Sequence, residues 1–395
     1  MISLGELGNC DCARMSFFLI LLAMLGPITA LALLGPQPSQ AQIDSALTIA
    51  RSIPLEMRAG QILLSFPPHP TYAAKYHIGG VVMNNKHHIK SVEYTQKLCS
   101  DFMSAMEIPP LLSCDQECGK VNRLRNIPGY ETTPSPVEMG SWPKDSVYKY
   151  TLKLGRDMRE LGLNTNLAPC LDVSGSENAL QRKMLRVFSG DPDTVAEKGA
   201  EFARGCQEGG VLVIAKHFPG YGEERWNSDV SLVRYRVSAK RFADDLMVFA
   251  RVAPWLDGVM MSSLVYPDYD SVPACLSPRI VGYAHAILPW GIVMTDDLWA
   301  PALREFVRKD YQTEFTKEDF AKITRAAFDA GNDMLLILDD KRVPEMIATI
   351  SDMCRNDKRR EERLNLSVAR VILAKDRLYP GLIARLYERY VEKGR

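Results

Sequence analysis

The chain has 395 residues, 46% of them hydrophobic, and its 48 basic and 48 acidic side chains cancel. That length suits one large α/β domain with a sizeable core. Balanced charge, with no basic stripe, no RNA-binding signature and no charged tail, excludes nucleic acid as the expected partner.

The first element in chain order is "MSFFLILLAMLGPITALALL", Met15 to Leu34, which is almost wholly apolar. At about 20 residues such a run can span a bilayer. Arg14 is the one close basic residue before it, and Gly26-Pro27 would disturb a spanning helix. Small residues at Ser39 and Ala41 offer a cut before Gln42. Residues 1–45 are therefore expected to be a signal peptide or a membrane anchor. The protein would be exported to the cell envelope or periplasm, or held at the membrane through this segment.

Short apolar runs then recur at 61–66, 79–84, 110–114, 164–169, 211–215, 258–262, 291–295 and 333–338. Most are apolar throughout, as strands covered on both faces are. Between them lie segments with apolar residues at helical spacing, such as "SVEYTQKLCSDFMSAME" and "SAKRFADDLMVFARV", several opening on Ser or Asp. Eight strands with intervening helices predict a (β/α)8 barrel over 50–380, followed by a helical tail over 381–395. The link from the first strand to the second is too short for a regular helix, so the first unit is expected to be irregular. An open doubly wound sheet would want a GxGxxG turn after the first strand, which is absent.

A barrel keeps its chemistry where the strands end, at the C-terminal face. Asp115, Asp172, Lys216, His217, Ser263, Asp296, Asp339 and Asp340 stand there. Asp at a strand end also caps the next helix, a reading that fits Asp339 and Asp340 well, Asp172 fairly and Lys216-His217 weakly. The nine cysteines form no metal-like pair, and the seven outside the leader read as buried thiols. No metal or cofactor is expected.

The motifs "DQECGKVNRLR" (115–125), "LGLNTNLAPCLDV" (161–173), "RVFSGDPDTVAEKGAEFARGCQEGGV" (186–211), "KHFPGYG" (216–222) and "GIVMTDDL" (291–298) follow one another in this order. Together they resemble family 3 glycoside hydrolases, in particular the single-domain bacterial β-N-acetylglucosaminidases of peptidoglycan recycling. The resemblance implies a barrel enzyme, a monomer, that releases terminal β-linked N-acetylglucosamine or a related sugar with retention of configuration. It implies Asp296 as the nucleophile, with Asp297 facing the following helix. Asp115, Arg123, Arg186, Lys216 and His217 would bind the terminal sugar, since a carboxylate takes hydroxyl protons and the cations donate.

One part of the pattern is altered. The family's acid/base loop carries an Asp-Ser-His triplet, and the matching places here hold Asn227, Ser228 and Asp229. The histidine that follows the first glycine is Tyr221, and the usual Asp-Thr pair is Glu223-Glu224. Three readings stand. Asp229 is the acid/base, or Glu223 or Glu224 takes that role, or the acid/base is lost and the barrel is a glycan-binding pseudoenzyme. Trp226 and Tyr221 are placed to stack on sugar faces.

Overall fold

The computed structural model describes residues 37–308 and 314–393. The apolar run Met15–Leu34 lies outside the described residues. Eight strands form: β1 Leu63–Ser65, β2 Gly80–Val82, β3 Leu111–Cys114, β4 Thr165–Asn166, β5 Leu212–Phe218, β6 Gly258–Met261, β7 Ile292–Met294 and β8 Leu335–Ile337. All neighbours pair in parallel in the order β7-β6-β5-β4-β3-β2-β1-β8, and a parallel bridge between Met294 and Met334 closes the ring. This is the (β/α)8 barrel.

Alternation along the strands explains the continuous apolar runs. Leu63, Val81, Leu112, Val213, Val259, Val293 and Leu335 face the helices in the outer core. Leu64, Val82, Leu111, Leu212, Met260, Ile292 and Leu336 point inward and fill the barrel. Both faces are dry, so most strand residues are apolar, and polar ones such as Ser113 and Asn166 are buried with hydrogen-bond partners. The helices begin on their capping residues: Ser91 before Val92–Ala105, Asp191 before Pro192–Glu208 and Ser238 before Ala239–Val252.

The long helix Lys358–Leu378 adds Val371 and Ala374 to the inner cluster. Its Arg363 bonds to the Gly331 carbonyl, Arg370 to the Pro289 carbonyl and Lys375 to Gln61. Each of these partners lies just ahead of a strand, so this helix plugs the N-terminal mouth. The opposite, C-terminal mouth is left free for a site.

Two expectations need adjusting. The first unit does hold a helix, the six-residue Pro70–Lys75, capped by His69. The body also starts earlier than residue 50. Ser39 caps the helix Gln40–Ser52 in a capping box, and Ala46, Ile49 and Ala50 of that helix are fully buried. Residues 40–45, assigned above to the leader, are therefore part of the folded body, and a cut before Gln42 would remove the cap.

Candidate active site

At the C-terminal mouth, β3 and β5 end in opposite charges. Lys216 Nζ stands 2.6 Å from Asp115 Oδ1 and 2.7 Å from Glu117 Oε1. Arg186, from the loop after β4, grips both oxygens of Glu117 at 2.7 and 2.8 Å. Arg123 reaches Asp115 at 3.5 Å. A register shift in β5 between Lys216 and Phe218 interrupts the strand's alternation, so Lys216 and its neighbour His217 both reach the same cleft.

These charges are buried and mutually compensated. Burial alone would lift Asp115, but Lys216 and Arg123 more than offset it and hold the carboxyl below its ordinary range. Glu117 is likewise held well below its ordinary range by Arg186 and Lys216, against the same burial. Burial would also strip the proton from Lys216, yet Asp115 and Glu117 raise it instead. The result is a fixed lattice of ionised donors and acceptors, suited to a ring of sugar hydroxyls.

His217 is held from behind. Its Nδ1 lies 2.8 Å from Asp172 Oδ2, and its Nε2 lies 3.2 Å from an Arg186 nitrogen. Nδ1–H donating to Asp172 leaves Nε2 free to accept from Arg186. The other Asp172 oxygen accepts from the Tyr221 backbone N–H at 2.7 Å. Cys170, Asp172 and His217 place one donor atom each within 4.8 Å of one another. Asp172 is already engaged twice, and burial raises the Cys170 thiol well above its usual range, so this trio serves as the floor beneath the sugar lattice.

Asp296 stands just beyond the end of β7, at the C-terminal mouth. Its Oδ1 accepts from the Asp297 N–H at 2.8 Å. Burial raises its carboxyl, the negative charge of Asp229 raises it further, and His217 and Lys216 pull it back. Raising one member of a carboxylate pair means that the pair keeps one proton to higher pH than an isolated carboxylate would. Asp297 also borders the cleft, but its Oδ1 is engaged, accepting from the N–H groups of Trp299 at 3.1 Å and Leu338 at 2.9 Å. Burial lifts its carboxyl to about 6.

The loop after β5 separates the three acid/base candidates. Glu223 accepts from Ser174 Oγ at 2.8 Å, Gly175 N at 2.9 Å and Ser176 N at 3.1 Å. Burial would raise it, but those three donors lower it, so it is a loop tie and not a proton donor. Glu224 turns back on its own chain, accepting from Arg225 and Trp226 N–H groups. Neither lines the cleft, whereas Asn227, Ser228 and Asp229 do. Tyr221 is only 3% exposed and packs edge-on at 5.7 Å from the His217 ring, so it does not present a face to a sugar. Tyr221 does border the cleft, whereas Trp226 is 70% exposed and does not line it.

Seven of the side chains singled out from sequence — Asp115, Arg123, Arg186, Lys216, His217, Asp229 and Asp296 — line one cleft of about 440 Å³. Sequence reasoning missed the role of Glu117, which is buried and joins Arg186 to Lys216. It also undervalued Asp172, read there as a strand-end residue that fits a helix cap. The signal for Glu117 was its place two residues beyond Asp115 inside a quoted motif.

The family model described as the glycosyl hydrolase family 3 N-terminal domain matches residues 56–374. The chain belongs to glycoside hydrolase family 3. Within this family it is 28% identical over 277 residues to a beta-hexosaminidase of Pseudomonas aeruginosa, covering 68% of this chain and 77% of that protein. It is 26% identical to beta-hexosaminidase A of Pseudoalteromonas piscicida, of whose length the match covers 54%. A crystal structure of a beta-N-acetylhexosaminidase from Beutenbergia cavernae superposes with a TM-score of 0.72 at 26% identity, covering 82% of this chain and 98% of that one.

Proposed function

We propose that this family 3 barrel hydrolyses terminal β-linked N-acetylglucosamine, or a related sugar, with retention. The observation that carries the proposal is the joint presence of Asp296, Asp229 and the Asp115–Lys216–Glu117–Arg186 lattice in one cleft. Asp296 attacks the anomeric carbon, and Asp229, protonated, delivers a proton to the departing oxygen. The glycosyl-enzyme ester on Asp296 is then opened by water, whose proton returns to Asp229. His217 and Lys216 favour the ionised form of Asp296.

The relatives named beta-hexosaminidase support the choice of sugar. Peptidoglycan fragments fit as the source, given an apolar leader that would carry the chain to the membrane or beyond it. Because Ser39 caps the first helix of the body, a leader peptidase would have to cut at or ahead of Ser39.

A panel of chromogenic β-glycosides, with Asp296→Ala as control, tests the reading. Turnover of the N-acetylglucosaminide by the intact protein, lost in a folded Asp296→Ala variant, is the expected result. Equal turnover by that variant, or none by the intact protein on any β-glycoside, would overturn it.

A further inference from the structure

Asp229 sits on a segment whose anchoring is uneven. Its leading shoulder is tied down by Glu223, through Ser174, Gly175 and Ser176. The far shoulder is tied by Leu232 N–H donating to Glu305 at 2.8 Å and by Tyr235 N–H donating to the Val265 carbonyl at 2.8 Å. Between them, the Glu224 carbonyl accepts from Leu180 N–H at 2.8 Å, which extends the leading shoulder to Glu224, while the Glu224 carboxylate accepts from Arg225 and Trp226 and Asn227 accepts from Asp229, bonds that stay within the segment. The described bonds that tie Trp226 and Ser228 to the body all run to one atom, the hydroxyl of Tyr221. It accepts from Ser228 N–H at 2.8 Å, donates to the Trp226 carbonyl at 3.2 Å and lies 3.1 Å from Ser228 Oγ.

Tyr221 is itself fixed at its base. Gly220 takes φ +135°, a value that favours glycine. That turn leaves the Tyr221 N–H on Asp172, while the Gly220 carbonyl accepts from Tyr266 at 2.7 Å. Asp172 also holds His217, so one buried carboxylate sets both a sugar-binding ring and the post under the loop.

We propose that Tyr221 is a positioning residue for catalysis: its hydroxyl holds the Trp226–Asp229 segment so that the Asp229 carboxyl faces the bond to be broken. This rests on the reading of Asp229 as the acid/base. Tyr221 touches no reacting atom in this account. Its effect runs through Asp229 and so falls on substrates that need proton delivery, because a displacement of about 1 Å can cost roughly a hundredfold in rate. Activated aryl glycosides, whose leaving groups depart unaided, should be nearly indifferent in the first step.

The test is a double-mutant cycle of Tyr221→Phe and Asp229→Asn, with kcat/KM measured on an activated aryl glycoside and on a disaccharide with a sugar leaving group. Tyr221→Phe keeps the ring that packs on His217 and removes the hydroxyl alone. Expected is a loss of about 10- to 100-fold on the disaccharide, under about 3-fold on the aryl glycoside, and no further disaccharide loss when Asp229→Asn is already present. An equal loss on both substrates, wild-type rates on both, or a full additional loss in the double variant overturns the positioning role while leaving Asp229 in place. If Asp229→Asn alone matches the wild type on both substrates, the acid/base reading fails, and this inference falls with it.

Discussion

Glu117 holds two cations at once, and the site depends on that arrangement. Removing its charge by Glu117→Gln leaves Arg186 and Lys216 sharing less negative charge in a buried place. Breaking a buried pair typically costs about 3–5 kcal/mol. Urea unfolding should show a loss of that order, with a higher KM, and a change below about 1 kcal/mol would contradict the picture of a compensated lattice. The carboxylate pair makes a second prediction with a definite sign. Asp229 raises Asp296 by charge repulsion, and Asp296 must be ionised to attack. Activity on an activated aryl glycoside should therefore fall as pH drops through a point above the ordinary carboxylate range. In Asp229→Asn that acidic limb should move to lower pH, because the repelling charge is gone. A limb that stays put, or moves up, separates the two residues. Among individual residues, the placing of Asp296 and the five proposed sugar contacts in one cleft was legible because they stand at strand ends or in ordered motifs. Glu117 and Asp172 were not, because their roles come from partners far along the chain: Arg186 is 69 residues from Glu117, and His217 is 45 from Asp172. Nor was Tyr221, whose hydroxyl meets Trp226 and Ser228 only through the fold of its own loop. The choice among Asp229, Glu223 and Glu224 needed the fold of one loop, which their spacing alone does not specify.

At the level of elements, the strands were readable because a barrel strand is dry on both faces and stands out as an apolar run. The short helix Pro70–Lys75 escaped because six residues give less than two turns of periodicity. The helix Lys358–Leu378 carries a feature that no pattern announces. Lys375 is fully buried, with Gln61 Oε1 at 2.9 Å, and burial lowers it from 10.5 to about 7. A lysine whose folded pKa lies below its unfolded one binds its proton more tightly in the unfolded chain. Stability should then rise as pH goes from about 7 toward 10.5, and the penalty is complete below that window. Urea midpoints at the two ends of the window should differ in the wild type, and the difference should shrink in Lys375→Met. A variant that keeps the full pH dependence would show that another group sets it.

On the scale of the whole molecule, the plugged N-terminal mouth leaves one open end, and every residue assigned to sugar chemistry is found there. The helix Gln40–Ser52 joins the body at the start of its described length, and Ser39 is its cap. Ser39→Ala should lower stability by about 0.5–2 kcal/mol, the usual range for a lost N-cap, and a neutral result would argue that the body begins later. N-terminal sequencing of protein from native membranes and envelope should give either an intact start or a start at or ahead of Ser39. The central claim is that Asp296 forms the covalent bond to the sugar. It is tested most directly by trapping the glycosyl-enzyme with a fluorinated N-acetylglucosaminyl donor that forms it faster than water opens it, then sequencing the labelled peptide by mass spectrometry. The account predicts one adduct, on Asp296 within "GIVMTDDL". An adduct on Asp297, Asp229 or any other residue, or release of an inverted product with no adduct, would contradict it.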